Sequence, residues 1–236
     1  MAAKVRNFKR AYLAGMTALA LHTQHYTPAE YIALLDESDE KYEYFDGQVY
    51  AWQAMAGTTD EHSAICDNLH GELRTALIAA GKPCKALNSD ALLHIPSLRS
   101  YRFPDVTVQC GDPIYDEETG RARTNPTVLI EVISESSRTA DYTKKLKQYG
   151  ELASLRDYVV VEQDFPMVTV FSRDSPEAPR WSTIIYFVKG AQIDLPSLDL
   201  AISIEELYRD LVFEGKKSRL SPGAGVPAWP SDKPVV

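Results

Sequence analysis

The chain lacks most of what would set it apart from an ordinary globular protein. It has only three cysteines, Cys66, Cys84 and Cys110, with no Cys-x-x-Cys pair. An odd, sparse set of this kind predicts neither a disulfide framework nor a zinc knuckle, and a reducing cytoplasm fits best. No apolar run approaches the ~20 residues that span a bilayer, so no membrane role is expected. Positive charge is not in excess: 25 Lys and Arg face 33 Asp and Glu, a net charge of -8. That excludes a globally basic nucleic-acid binder but not a locally basic site. The phosphate loops GxxxxGK[ST] and GxGxxG, the zinc motif HExxH and the nucleophile elbow GxSxG are all absent. His62 and His70 share a helical pattern, but at eight residues apart they point about 80° away from each other, which argues against a histidine metal pair.

What remains is a 236-residue chain, 44% hydrophobic and 25% charged, long enough to bury a sizeable core. Residues 1–25 are expected to be a leader outside the fold, disordered or a start-site artefact. Lys4, Arg6, Lys9 and Arg10 precede a weakly apolar stretch from Ala11 to Leu21, a poor signal-peptide pattern. Met16 offers an alternative start. Residues 26–212 read as one mixed α/β domain, and the Pro-, Gly- and Lys-rich residues 213–236 as a disordered tail.

Thr27-Pro28-Ala29-Glu30 is a capping box with proline at the first helical position, predicting a helix to about Leu35. Asp46-Gly47 between alternating residues predicts a hairpin that carries Glu43 on a strand. Thr58 and Glu61 form a second box, followed by Ile65, Leu69, Leu73, Ala76, Leu77 and Ala80 at helical spacing and a stop at Gly81. Residues 84–96 and 104–110 read as strands separated by the polar bend SLRSYR, and residues 112–125 as a loop. TVLIEVI (127–133) and DYVVVEQ are buried strands with a helix between them. MVTVF and segments near 182–188 and 191–194 are further strands, before a helix opened by Ser203 to Glu206.

The chemistry-bearing residues are acidic. Glu131 sits between Ile130 and Val132 in an apolar strand, and an unpartnered buried carboxylate is expensive. It calls for a metal, a donor or a cation, for example Arg102. Asp105 opens another strand after Pro104. Two carboxylates on neighbouring strands can share Mg²⁺, a hard cation that takes oxygen ligands. On the helix after Glu131, a 100° step places Tyr142, Leu146, Tyr149, Leu152 and Ala153 on a core stripe. Lys145 falls inside that stripe, while Lys144 and Lys147 fall on the opposite face. Lys145 is therefore a candidate for orienting a water, or a salt-bridge partner of Asp141. Tyr142 and Tyr149 read as packing residues, and Cys66 as core. Trp52 reads as core rather than as a base-stacking residue.

Taken together, YEYFDGQV, His62 on a helix, RFPDVTV, VLIEVISESS, Asp141-x3-Lys145-x3-Tyr149 and DYVVVEQD resemble the Uma2 family of nucleases, within the PD-(D/E)XK or restriction-endonuclease-like superfamily. The match covers about residues 26–211. The resemblance implies an α/β (α+β) fold with a three-layer core, a central mixed β-sheet flanked by helices. It implies that Asp105, Glu131 and the carbonyl of Val132 hold Mg²⁺ or Mn²⁺, and that Lys145 and Glu43 join them in catalysis. The superfamily's usual lysine position is Ile133 here, and Lys145 matches a displaced lysine in the following helix. His62 and Glu162 are accessory positions, Glu162 standing where relatives commonly have Asp. The implied function is metal-assisted hydrolysis of DNA phosphodiester bonds by an endonuclease, expected as a homodimer on symmetry grounds. Two alternatives stand beside it: a catalytically degenerate nucleic-acid or protein binding module, and a small phosphodiesterase acting on substrates other than DNA.

Overall fold

The computed structural model describes residues 25–51, 59–134, 140–178, 180–214 and 217–220. Helix α1 (Pro28–Asp36) precedes the hairpin β1 (Tyr42–Phe45) and β2 (Gln48–Ala51). Helix α2 (Asp60–Ala79) follows, then strands β3 (Cys84–Leu87), β4 (Leu93–Ile95), β5 (Ser100–Arg102), β6 (Val106–Cys110) and β7 (Val128–Ile133). A π-helical turn (Ala140–Lys145) runs into α3 (Leu146–Tyr149). Strands β8 (Asp157–Glu162), β9 (Val168–Ser172), β10 (Ser182–Tyr186), β11 (Gln192–Leu195) and β12 (Leu200–Ser203) lead to α4 (Ile204–Leu207), β13 (Leu211–Glu214) and β14 (Lys217–Leu220).

Local chemistry sets the element ends. At α1 the Thr27 hydroxyl accepts from Glu30 N–H at 3.2 Å and the Glu30 carboxylate accepts from Thr27 N–H at 3.0 Å, the reciprocal capping box. The first hairpin turns on Asp46 and Gly47, both with positive φ (43° and 90°). A side chain at residue 47 would collide with the ring of His25. Helix α2 is capped one residue later than the sequence pattern predicts. Thr59 is extended and its hydroxyl accepts from His62 N–H at 3.2 Å, which places His62 in the first turn; Thr58 lies outside the described residues. At the other end Gly81, φ 60°, lets Lys82 N–H reach Leu77 O and its own N–H reach Ile78 O, the paired closure of a Schellman motif.

The six-stranded sheet runs β10-β9-β8-β7-β6-β3; β7 and β8 are parallel and every other neighbour pair is antiparallel. Val128, Ile130 and Val132 of β7 pack with Ile65, Leu69, Leu73 and Leu77 of α2 and with α4. The alternate residues Leu129 and Ile133 pack on the other face with Tyr149, Leu152 and Leu155. Helix, mixed sheet and helix thus form the three layers that the resemblance implied. The period of two leaves Glu131 facing the α3 side.

Two sequence expectations are corrected around residues 84–102. Residues 84–96 form two strands, not one. Asp90 N–H donates to the Asn88 side chain at 3.1 Å, a turn that ends β3 and sends the chain into a second sheet of order β2-β1-β5-β4. The polar bend SLRSYR contains β5, whose Ser100, Tyr101 and Arg102 are all buried. Its Tyr101 packs with Tyr44 and with Tyr31 of α1, at ring separations of 5.6 and 5.4 Å.

The cysteine expectation is also corrected. The register of β3 against β6 sets Cys84 opposite Cys110, and the two form a disulfide, leaving Cys66 as the free thiol. Count parity argues against a multi-bridge framework, but not against one pair brought together by strand register. The bridge removes the cysteine argument for a reducing compartment. Residues 217–220, within the expected tail, pair with β13. Among the described residues no helix is long and apolar enough to cross a membrane.

Candidate functional site

Near the end of strand β7, Asp105, Glu131, Lys145 and His62 come together. Glu131 is 4% exposed. Its Oε1 accepts from the Tyr149 hydroxyl at 2.5 Å and its Oε2 lies 3.0 Å from Lys145 Nζ. Lys145 and Tyr149 are one helical turn apart, so both reach the same carboxylate. Lys145 points inward as its position on the stripe predicted, while Lys144 and Lys147 are exposed. Burial first, and then the charge of Glu131, pushes the Tyr149 hydroxyl well above its ordinary pKa. The phenol therefore stays a donor. The sequence reading of Tyr149 as packing alone missed this bond.

Asp105 comes from the neighbouring strand. Val106 pairs with Ile130, so the residue before it lies beside the Glu131–Val132 step. Asp105 Oδ2 accepts from Val132 N–H at 2.8 Å. The same oxygen is 3.3 Å from His62 Nε2, which is buried and makes no aligned hydrogen bond. On the other side of that ring, Nδ1 is 3.7 Å from Cys66 Sγ, one turn along α2. Burial works against protonating His62. The contact with Asp105 and the charges of Asp105 and Glu131 outweigh burial and the opposing Lys145, so its pKa is raised. Burial, reinforced by the same two carboxylates, pushes the Cys66 thiol far up.

Glu43 lies at the margin. It is buried on β1, and Arg102 donates to it at 2.8 Å and to Gln148 at 3.1 Å. Gln148 precedes Tyr149, and the charges of Arg102 and Glu43 both act on the Tyr149 hydroxyl. Glu162, at the end of β8, is fully buried and opposite Ile133. The Tyr142 hydroxyl donates to it at 3.3 Å and lies 3.0 Å from Thr169 Oγ1. Tyr142, also read as packing, thus ties the helix to Glu162. The Asp141 side chain and Trp52 lie outside the described residues.

A family model described as "Uma2: Putative restriction endonuclease" matches residues 28–205. The chain belongs to the Uma2 family. It is 30% identical over 187 residues to the uncharacterized protein slr1290 of Synechocystis sp. PCC 6803, covering 79% of this chain and 93% of that one. A second Synechocystis protein, the uncharacterized sll1609, is 29% identical over 141 residues, 60% of this chain and 77% of that one. Among solved structures, "a putative nuclease belonging to DUF820" from Anabaena variabilis superposes with a TM-score of 0.56 at 18% identity, covering 75% of this chain and 96% of that chain. That likeness supports the shared fold.

The donor set of this Uma2 chain fits a divalent cation. Asp105 and Glu131 are buried carboxylates on adjacent strands, the oxygen chemistry that hard cations prefer. The buried His62 Nε2, aimed at Asp105 without a hydrogen bond, adds a nitrogen donor to the same place.

Proposed function

We propose that this Uma2 protein is a divalent-cation-dependent endonuclease that hydrolyses DNA phosphodiester bonds, with Mg²⁺ or Mn²⁺ held by Asp105, Glu131 and the Val132 carbonyl. The observation that carries this reading is the convergence of Asp105, Glu131 and Lys145 at one strand end. A cation bound there supplies charge to the phosphate and lowers the pKa of its bound water. The protein does the rest by position. Val132 N–H fixes the Asp105 carboxylate. Tyr149 holds one oxygen of Glu131 and so sets the direction of the other. Lys145 reaches that other oxygen, and from there its ammonium orients a nucleophilic water or neutralises charge developing on the phosphate. Glu43 and Arg102 brace the helix that carries Lys145 through Gln148.

One observation favours the degenerate reading: both Glu131 oxygens already have protein partners. Supercoiled plasmid separates the two. A nuclease nicks or linearises it with Mg²⁺ or Mn²⁺, and Asp105→Ala and Glu131→Ala abolish the cut. A binding module retards the plasmid on a gel without cutting it. Equal cleavage by wild type and both variants contradicts the nuclease proposal.

A further inference from the structure

His62, Cys66 and Asp105 each offer one ligand atom, and those atoms lie within 4.8 Å of one another. We propose that these three residues form a nitrogen–sulfur–oxygen site that takes a borderline divalent cation, Zn²⁺ or Co²⁺, and overlaps the Asp105–Glu131 oxygen site through Asp105.

The geometry is close to what such an ion needs. Zn²⁺ prefers four tetrahedral ligands, with nitrogen and oxygen near 2.0 Å and sulfur near 2.3 Å, so neighbouring ligand atoms stand about 3.3–3.8 Å apart. The His62 Nε2 to Asp105 Oδ2 separation is 3.3 Å. Cys66 Sγ lies 3.7 Å from Nδ1 of the same ring, inside the 4.8 Å span of the three ligand atoms. His62 is 5% exposed, and its Nε2 faces Asp105 Oδ2 at 3.3 Å without an aligned hydrogen bond, so that edge of the ring is not committed to a well-formed donor–acceptor pair. His62 and Cys66 stand four residues apart on α2, and Asp105 is pinned by Val132 N–H, so all three come from rigid elements. The charges of Glu131 and Lys145 also act on His62.

The donor types set the choice of ion. Thiolate and imidazole favour Zn²⁺ or Co²⁺ and offer little to Mg²⁺. On coordination the Cys66 thiol gives its proton to solvent and its sulfur becomes the ligand. Because Asp105 serves both positions, Zn²⁺ there competes with a hard ion on the Asp105–Glu131 pair. The inference does not depend on nuclease activity, since its readout is optical.

The test is a Co²⁺ titration of the full chain followed by absorption. The expected result is one Co²⁺ per chain with a thiolate-to-cobalt charge-transfer band in the near ultraviolet. Cys66→Ser and Cys66→Ala should each lose that band, and His62→Gln should weaken Co²⁺ binding at least about tenfold. Cooperative melting without metal confirms that each variant folds. Cys84 and Cys110 are unchanged in every variant, so the difference spectrum isolates Cys66. A wild-type spectrum without the band, or a band that survives both Cys66 substitutions, overturns the proposal. Failure of plasmid cleavage leaves it standing, and its own failure leaves the cleavage proposal standing.

Discussion

Glu131 shows how much one residue's position determines. In a strand buried on both faces, a carboxylate must find donors, and it finds a phenol and an ammonium one turn apart on α3 and the turn before it. Tyr149→Phe removes one donor while keeping the ring. It should destabilise the fold by about 1–3 kcal/mol in urea unfolding, because a buried acceptor loses its partner. Lys145→Met keeps the stem and removes the charge. Plasmid cleavage should fall by about 10²–10³-fold, the loss typical of one electrostatic group in a catalytic site. Glu131 was legible because a charge in an apolar run stands out, and Lys145 because the helical wheel separates it from Lys144 and Lys147. The Tyr149 hydroxyl was not legible. A tyrosine on a core stripe reads as packing, and its partner depends on how α3 sits over β7. The Arg102–Glu43 pair was hidden for a similar reason, since it joins residues 59 positions apart across two strands of the small sheet.

At the scale of elements, helix α2 carries His62 to Asp105, and its cap decides where His62 points. Thr59→Ala should cost about 1 kcal/mol of stability, read as a lower urea midpoint. The 112–125 loop is built on Asp116. The Asp116 carboxylate accepts from Thr119 N–H and Ala122 N–H at 2.8 and 2.9 Å, from the Thr119 hydroxyl, and from Tyr101 at 3.1 Å. Burial alone would raise its pKa, but these bonds bring it below the ordinary value. A carboxyl depressed in the folded state adds stability above its unfolded pKa and loses it as pH falls through the folded one. Asp116→Ala should therefore be less stable than wild type at neutral pH, with the gap closing below about pH 3.9. Most elements were legible from caps, Asp-Gly and periodicity. The split of residues 84–96 between two sheets was not, because period-two alternation does not say which sheet a strand joins.

At the scale of the whole molecule, two sheets meet over one strand end, and the net charge of -8 surrounds a locally basic segment. From Arg138 to Lys147 the sequence carries Arg138, Lys144, Lys145 and Lys147 against Asp141, a net +3. Lys144 and Lys147 are exposed and available to phosphates. The double variant Lys144→Ala/Lys147→Ala should weaken DNA binding and make the slope of log affinity against log salt shallower by about two. The Cys84–Cys110 bridge belongs to this scale too: it follows from register between strands 26 residues apart, which cysteine counting cannot see. The most direct test of the central claim is the rate of plasmid cleavage as Mg²⁺ is titrated into wild type, Asp105→Asn and Glu131→Gln. The predicted result is a wild-type rate that rises and saturates with Mg²⁺, is abolished by chelation, and is lost in both variants. Cleavage that ignores chelation, or that both variants retain at the wild-type rate, contradicts it.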